Sequence, residues 1–510
     1  MPGVAAPLKI LKMKPFLLLA AAACLGLAAA PLRAAASRPN ILFILADDLG
    51  WGDVGFHGAK IRTPVLDRLA REGVELTQHY VNPQCSPTRS ALLCGRYASR
   101  LDNLVAFDAR AFPAGTTTLP LALQAAGYAT ALIGKWHLGS EPGARPWERQ
   151  GFDFSYGALT GAVHPYGHTY RSGPLERTWH RNGQRVDQLG THTTDLLANE
   201  ALAWLGRQER GRPWLLYLPS FAPHTPVDAP PEWKERYAHE KFFADDAKNE
   251  SAIRYAAMIS HLDDAIGRVL AAVQARGERE NTLVIFISDN GPVGQPWPTG
   301  ALYGHPALPS AWLGSAGPLR GLKATTWEGG VRVPAIASWP GTLAPRTATA
   351  PTCVVDWFPT FARLAGWSPA ADLRWDGQDI WPVLTGAAMP AADRVIYCKY
   401  AGGMAFLRRG NWKLVTLGDT PFSRSQMPGG DRSDQLFNLA DDPHETRDLA
   451  RAEPQRLAEL QRLLVEEMRQ DDVGRVHRTA QFQWSRVPEH ARLIQPAPAR
   501  KGAEPHGLSF

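Results

Sequence analysis

Four oxygen-bearing side chains follow directly on apolar runs. NILFILA (Asn40–Ala46) ends on Asp47-Asp48, and LVIFIS (Leu283–Ser288) ends on Asp289-Asn290. Three carboxylates and an amide offer only oxygen, which suits a hard cation, calcium or magnesium, and not zinc. Asp-Asp-Leu-Gly alone reads as a turn; the second pair, at a second strand end, makes it half of a site. Lys135 and His137 follow ATALIG (Ala129–Gly134), and His224 follows WLLYLPSF (Trp214–Phe221). With Arg89 and Lys323 they give five bases. A divalent cation held by carboxylates on one side leaves its other side open. Lysines and an arginine there suit a tetrahedral oxyanion, sulfate or phosphate alike.

One cysteine stands out, in QCSPTRSALLCGRY (Gln84–Tyr97) of a 510-residue chain with five cysteines. Pro87 fits the first turn of a helix, Ser86 its cap and Gly95 its stop. Cys85 then sits at a helix N-terminus, where backbone N–H groups and the dipole favour negative charge, and Arg89 reaches the same anion. Such a cysteine is either a thiolate nucleophile of lowered pKa or an inert buried thiol. The others, Cys24, Cys94, Cys353 and Cys398, are too sparse for a disulfide scaffold, and no C-x-x-C pair exists for zinc.

These residues need elements to position them. The four apolar runs are short, apolar on both faces and rich in Ile, Leu or Val, as strands of a covered parallel sheet are. Helical patterns alternate with them: Thr63–Gly73, Thr117–Gly127, Thr193–Gln208 and Tyr255–Gly277. Strand–helix alternation predicts an α/β fold with a mostly parallel central sheet flanked by helices. In such sheets ligands bind beyond the carboxyl ends of the strands, where all four polar clusters lie. From Arg394 the pattern changes. RVIYCKY, MAFLRRG, NWKLVTL and DQLFNLA read as short strands, and AEPQRLAELQRLLVEEMRQ as an amphipathic helix. This predicts a smaller C-terminal antiparallel sheet with a packed helix.

The composition is that of a globular protein, 45% hydrophobic and 20% charged, so a large core is available. The net charge of +6 comes with no dense Lys/Arg block and no nucleic-acid motif, so nucleic acid is excluded as a partner. Lys9, Lys12 and Lys14 precede FLLLAAAACLGLAAA and then small residues, the pattern of a secretory signal peptide cleaved near Ala36. A lipoprotein anchor on Cys24 is the weaker reading, because AAAC is a poor lipobox. No later run has ~18 apolar residues, so no membrane span is expected after cleavage. The expected organisation is a signal peptide (1–36), a catalytic domain (37–393), a C-terminal α+β subdomain (394–470) and a polar Pro-rich tail (471–510), exported to the periplasm or beyond. Pro296–Pro318 reads as a long functional loop.

CSPTRSALLCGR (Cys85–Arg96) resembles the signature of the type I sulfatases, Cys-x-Pro-x-Arg, whose cysteine a separate enzyme oxidises to formylglycine. ADDLGWGDVGFHG, GKWHLG, APHTP, SDNG and PLRGLKATTWEGGVRVP agree with that family in order along the chain. The likeness runs from Arg38 to about Ala450 and is closest to the arylsulfatase B-like branch of the alkaline phosphatase superfamily. It implies an alkaline phosphatase-like fold and calcium (magnesium as the alternative) on Asp47, Asp48, Asp289, Asn290 and modified Cys85. It further implies a hydrated formylglycine, one hydroxyl attacking sulfur and the other allowing the sulfate to leave. His224, assisted by Lys323, would protonate the leaving oxygen. His137 with Lys135 would hold the diol and take its proton, and Arg89 would steady the developing charge.

Two departures from the family pattern are visible. Cys94 stands where threonine is usual, and a hydroxyl that some relatives contribute after GFDFSYG has only Thr160, His164 and His168 as candidates. By the resemblance the partners are a sulfated polysaccharide or oligosaccharide and, transiently, the formylglycine-generating enzyme. Trp179, Trp297 and Trp312 are candidates for stacking on sugar rings. The alternatives are a phosphodiesterase or phosphonate monoester hydrolase of the same superfamily, and an inactive glycan-binding homologue.

Overall fold

A computed structural model describes residues 1, 3, 38–104, 115–141, 143–170, 176–294, 312–371, 373–387, 394–418, 434–471 and 495–496. The signal-peptide reading, Trp297 with most of its loop, and nearly all of the C-terminal tail lie outside these residues.

Five strands make the centre of a large sheet, in the order Thr282–Ser288, Asn40–Ala46, Trp214–Pro219, Ala129–Lys135 and Phe154–Ala158. All four contacts between them are parallel, with Ile41 opposite both Leu215 and Leu283. Outside them the sheet turns mixed. Ala335–Ser338 runs antiparallel beside Thr282–Ser288, and His180–Arg181 runs antiparallel beside Phe154–Ala158. The edge residues Gln495–Pro496 pair in parallel with Gln184–Arg185.

Every residue of the first strand is buried because both faces are covered. Ile41, Phe43 and Leu45 point to one core, under the helices Cys85–Cys94, Leu119–Ala125 and Trp357–Ala365. Leu42, Ile44 and Ala46 point to the other, under Pro64–Glu72, Thr193–Gly206 and Asp246–Ala275. The last helix begins nine residues before its expected start: Asp245 caps it by accepting from Lys248 N–H, so the polar first turns belong to it.

The C-terminal strands Val395–Lys399, Met404–Arg409, Trp412–Leu417 and Gln435–Asn438 form an antiparallel sheet in sequence order, with the helix Pro454–Arg469 against it. The core on the Ile41 side runs without a break into this small sheet through Phe406, Leu414 and Leu436.

Candidate active site

The strand order explains why residues far apart in sequence meet. Thr282–Ser288, Asn40–Ala46, Trp214–Pro219 and Ala129–Lys135 are consecutive neighbours and parallel, so their carboxyl ends form one rim. Main-chain pairing continues past the strands, with Asp289 N–H donating to Ala46 O and Asp47 N–H to Ala222 O. Asp48 and His137 have φ of +68° and +55°, a left-handed conformation uncommon outside glycine. Each lies where the chain leaves its strand and turns a side chain back over the rim.

The helix carrying Cys85 starts two residues earlier than the capping pattern suggests. Gln84 is its cap and Cys85 its first residue, while Gly95 stops it with φ +64°. Ser86 is freed from capping; its hydroxyl donates to His137 O at 2.8 Å and ties the helix to the Lys135–His137 turn. Burial pushes the Cys85 thiol up to about 12, with Lys135 and Lys323 opposing and Asp289 and Asp47 adding to it. Burial thus works against the thiolate reading of Cys85: the helix terminus and two lysines do not offset the desolvation of a fully covered thiolate.

Lys135 Nζ donates to Asp47 Oδ2 at 2.6 Å. Lys323 Nζ donates to both oxygens of Asp48 at 2.6 and 2.8 Å. Arg89 gives Nε and Nη2 to Asp289 Oδ2 and Nη1 to Lys135 O. Asn290 Nδ2 donates to Asp48 Oδ1 at 2.7 Å. Three buried carboxylates thus face three buried cationic side chains, so they do not repel one another for want of a metal ion. What argues for a cation is narrower. Asp47 Oδ1 and Asn290 Oδ1 are buried with no hydrogen-bond partner among the described residues, and such oxygens are costly unless something binds them. Burial, against Lys135, pushes the Asp47 carboxyl up to about 8, so a cation here would take the place of a proton. Ligand atoms of Asp47, Asp48, Cys85 and His224 all lie within 4.8 Å of one another.

Burial would raise the Asp48 carboxyl, but Lys323, His224 and Lys135 outweigh it and hold it well below the usual range. Burial would strip Lys323 of its proton, but Asp48 holds it well above the ordinary lysine range. His224 Nδ1 lies 2.6 Å from Thr225 O and donates to it, which turns Nε2 toward Asp48 Oδ2 at 3.5 Å. Burial pushes His224 down to about 3, with Asp48 pulling up and the two lysines pushing down. Burial, reinforced by Lys135 and Arg89, holds His137 well below its ordinary value.

Further residues support the site without a signal in sequence spacing. Tyr255 hydroxyl lies 2.9 Å from Asp53 Oδ2 and 3.2 Å from Asp48 O, bracing the Asp48 turn from a helix some two hundred residues away. Gly161 passes so close to His137 that a Cβ there would come within 2.5 Å of the ring. Of the three candidates after GFDFSYG, Thr160 is buried and donates to Ala162 O, and His168 is buried on Trp179 with Nε2 on Thr191 O. His164 is half-buried, its Nδ1 accepting from Tyr166 and Gly167 N–H. Trp179 is 2% exposed, packed by Tyr156, His168 and Phe221, so it cannot stack on a sugar. Trp312 is half-buried against Tyr255, Phe242 and Phe243.

A second group, His192, Asp195 and His261, also has ligand spacing. It is closed by protein: Arg268 donates to Asp195 at 2.7 Å, and His192 uses Nδ1 to cap a helix and Nε2 on Asp228 O.

Comparison with known proteins bears on this cluster. The family model described as Sulfatase matches residues 39–367. Mouse arylsulfatase J is 32% identical over 470 residues, covering 82% of this chain and 74% of that protein. Dog N-acetylgalactosamine-6-sulfatase is 35% identical over 425 residues, covering 79% and 74%. Among solved structures, Ps i-CgsB in complex with k-i-k-neocarrahexaose superposes with a TM-score of 0.74 at 28% identity, over 90% of this chain and 99% of that one. The PsFucS1 sulfatase from Pseudoalteromonas sp. superposes with a TM-score of 0.69 at 25% identity, over 85% and 90%.

Proposed function

The chain belongs to the sulfatase family and is a sulfuric ester hydrolase, and we propose that it removes sulfate from sulfated carbohydrates at the cluster around Cys85. One observation carries the reading: Asp47 and Asp48, each paired with a lysine, and His224 converge on the buried Cys85. The carbohydrate class rests on a relative named N-acetylgalactosamine-6-sulfatase and a neighbour solved in complex with k-i-k-neocarrahexaose.

The family works with a metal ion and a formylglycine, and we read Cys85 as the precursor of the latter. Hydrated formylglycine would supply one hydroxyl as nucleophile and a second that lets the covalent sulfate leave, an exit a thiol lacks. The cation, read as calcium with magnesium as the alternative, would be held by Asp47, Asp48, Asp289, Asn290 and modified Cys85, and would draw charge from the sulfate oxygens.

The chain's own groups do the rest. Arg89 gives Nε and Nη2 to Asp289 and Nη1 to Lys135 O, so we read its task as orienting the Asp289 carboxylate. Lys135 and Lys323, one on each of the adjacent aspartates, present positive charge to a tetrahedral anion from two sides. His137, beside Lys135 and held below its ordinary pKa, is neutral and suited to accept a proton from a hydroxyl at position 85. His224 and Lys323 share Asp48 and would face the leaving oxygen. Lys323 keeps its proton. His224 is neutral until negative charge arrives; a bound sulfate ester adds to the pull of Asp48 and favours the protonated ring.

We read residues 1–36 as an export signal and the protein as periplasmic or secreted. No helix among the described residues is long and apolar enough to cross a membrane. The formylglycine-generating enzyme is the transient partner this reading requires. Residues 37–393 make the catalytic domain, 394–470 the C-terminal subdomain and 471–510 the tail. Initial rates on an aryl sulfate and an aryl phosphodiester, measured in parallel on formylglycine-bearing protein and followed by a screen of defined sulfated saccharides, test the reading. Faster turnover of the phosphodiester contradicts it.

A further inference from the structure

Lys323 sits in a segment that the large sheet alone does not hold. Gly321 and Ala324, on either side of it, have φ of +85° and +65°. The second of these is a non-glycine residue in a conformation that costs energy unless its surroundings fix it. From the catalytic side the segment is tied by its backbone: Lys323 N–H donates to Pro292 O and Ala324 N–H to Pro83 O, each at 2.8 Å.

Within the segment Gly329 N–H donates to Arg320 O, and further ties come from beyond residue 394, two of them from Glu445. This residue is fully buried and itself left-handed, with φ +56°. Its carbonyl accepts from Arg320 Nη1 at 3.0 Å, and its Oε2 accepts from Glu328 N–H at 2.7 Å. One residue thus grips the segment 320–328 at both ends, with Lys323 between. Lys413, also fully buried, completes the grip. Its Nζ lies 2.8 Å from Glu328 Oε1 and 2.9 Å from Glu445 Oε1, the second an ion pair without hydrogen-bonding alignment. Tyr400, just past the strand Val395–Lys399, and Met404 pack on Ala324, the residue after Lys323, and Trp327 Nε1 donates to Gln435. Glu328 is fixed in turn by Tyr80 hydroxyl at 2.9 Å.

We propose that Glu445 is a positioning residue for Lys323, and that the C-terminal subdomain acts in catalysis by holding Lys323 on the leaving-group side of the site. Glu445 touches neither the cation ligands nor the place of the anion; it acts only through the segment it holds. Its loss lets that segment relax toward ordinary backbone conformations and carries the Lys323 ammonium away from Asp48. The kinetic consequence rests on the leaving-group role given to Lys323 above; the geometric one does not.

The test uses Glu445→Ala, in which Lys413 keeps Glu328 as partner, and Arg320→Met at a half-buried position that spares the buried charges. Formylglycine and metal content are measured first. Both variants are expected to lose about tenfold or more in kcat on an alkyl or sugar sulfate, less than about threefold on 4-nitrophenyl sulfate, and little in KM. Leu460→Ala, a core change in the C-terminal helix, is the control; it is expected to lower the melting temperature while leaving the ratio of the two rates intact. Equal losses on both substrates, or the Leu460→Ala pattern, overturn the proposal. Lys323→Ala runs alongside. If it shows no leaving-group dependence, the catalytic reading of Lys323 fails on its own account. A crystal structure of Glu445→Ala then decides: Lys323 displaced from Asp48 supports the positioning role, and Lys323 still on both oxygens refutes it.

Discussion

Arg89 places two of its donors on one oxygen of Asp289, Nε at 3.1 Å and Nη2 at 2.7 Å, and leaves the other oxygen to the N–H of Asp48 at 3.2 Å. The carboxylate is thereby fixed in rotation, one oxygen saturated by the guanidinium and one turned toward the Asp47–Asp48 side of the rim. The arginine of the cysteine motif thus links the helix of Cys85 to the far strand end, two hundred residues on.

Asp289→Ala is expected to abolish cation binding and to lower activity by about a thousandfold or more. Because it also strands buried Arg89, Asn290→Leu is the companion: it removes a ligand oxygen without leaving a charge unpaired. Elemental analysis after dialysis, with calcium titration followed by thermal melting, reads both. Stoichiometric metal and undiminished calcium stabilisation in both variants contradict the cation assignment.

His224→Ala separates the leaving-group side from the rest of the site. Nitrophenolate leaves with little protonation, whereas a sugar alkoxide needs a proton. The variant is expected to lose about tenfold or less on nitrophenyl sulfate and about a hundredfold or more on a sugar sulfate, with formylglycine content unchanged. Equal factors on both, with chemistry rate-limiting, place the proton on Lys323, which Asp48 keeps charged.

The strands that carry the site were legible in the sequence because they are buried on both faces and end on polar clusters, and their boundaries fall within about two residues of the apolar runs. The site residues could be gathered from the rule that parallel strands deliver ligands at one rim. What sequence could not supply was compensation. The apparent crowding of three aspartates vanishes once Lys135, Lys323 and Arg89 are seen on them, and nothing in their spacing foretells that pairing. Trp179 looked available because a loop tryptophan is usually half-exposed; here antiparallel His180–Arg181 extends the sheet and folds the ring inward. Tyr255 and Glu445 act across more than a hundred residues of chain, through contacts that leave no periodic trace.

Lys413→Met tests the buried pairing between the two parts of the chain. Glu328 and Glu445 would then face each other without the ammonium between them. Breaking a buried pair by removing one partner typically costs about 3–5 kcal/mol. The expected result is a melting temperature lowered by several degrees, partly restored by adding Glu445→Gln. A loss below about 1 kcal/mol would mean that water reaches the pair.

Acid is expected to destabilise the protein through its buried histidines. Burial, helped by Arg394, pushes His79 down to about 3; burial pushes His180 to about 4, and burial with His261 pushes His192 to about 4. Each is neutral when folded and takes a proton near pH 6.5 when unfolded. Their stability is therefore fully present above about pH 6.5 and is lost as pH falls toward 4, by about 1.4 kcal/mol per pH unit for each proton taken up. His79 uses both ring nitrogens, on Thr352 and Trp357. Urea unfolding midpoints between pH 7.5 and 4.5 should fall, less steeply in His79→Gln. A flat profile would show that these rings are protonated when folded.

The most direct measurement concerns Cys85 itself. The protein is produced with and without a formylglycine-generating enzyme, and the peptide containing Cys85-Ser86-Pro87-Thr88-Arg89 is weighed by mass spectrometry while sulfate release is measured on the same samples. The expected result is loss of the thiol sulfur and gain of an aldehyde, with sulfate release rising in proportion to the aldehyde fraction and vanishing in Cys85→Ala. Full activity in protein whose Cys85 is wholly unmodified would contradict it.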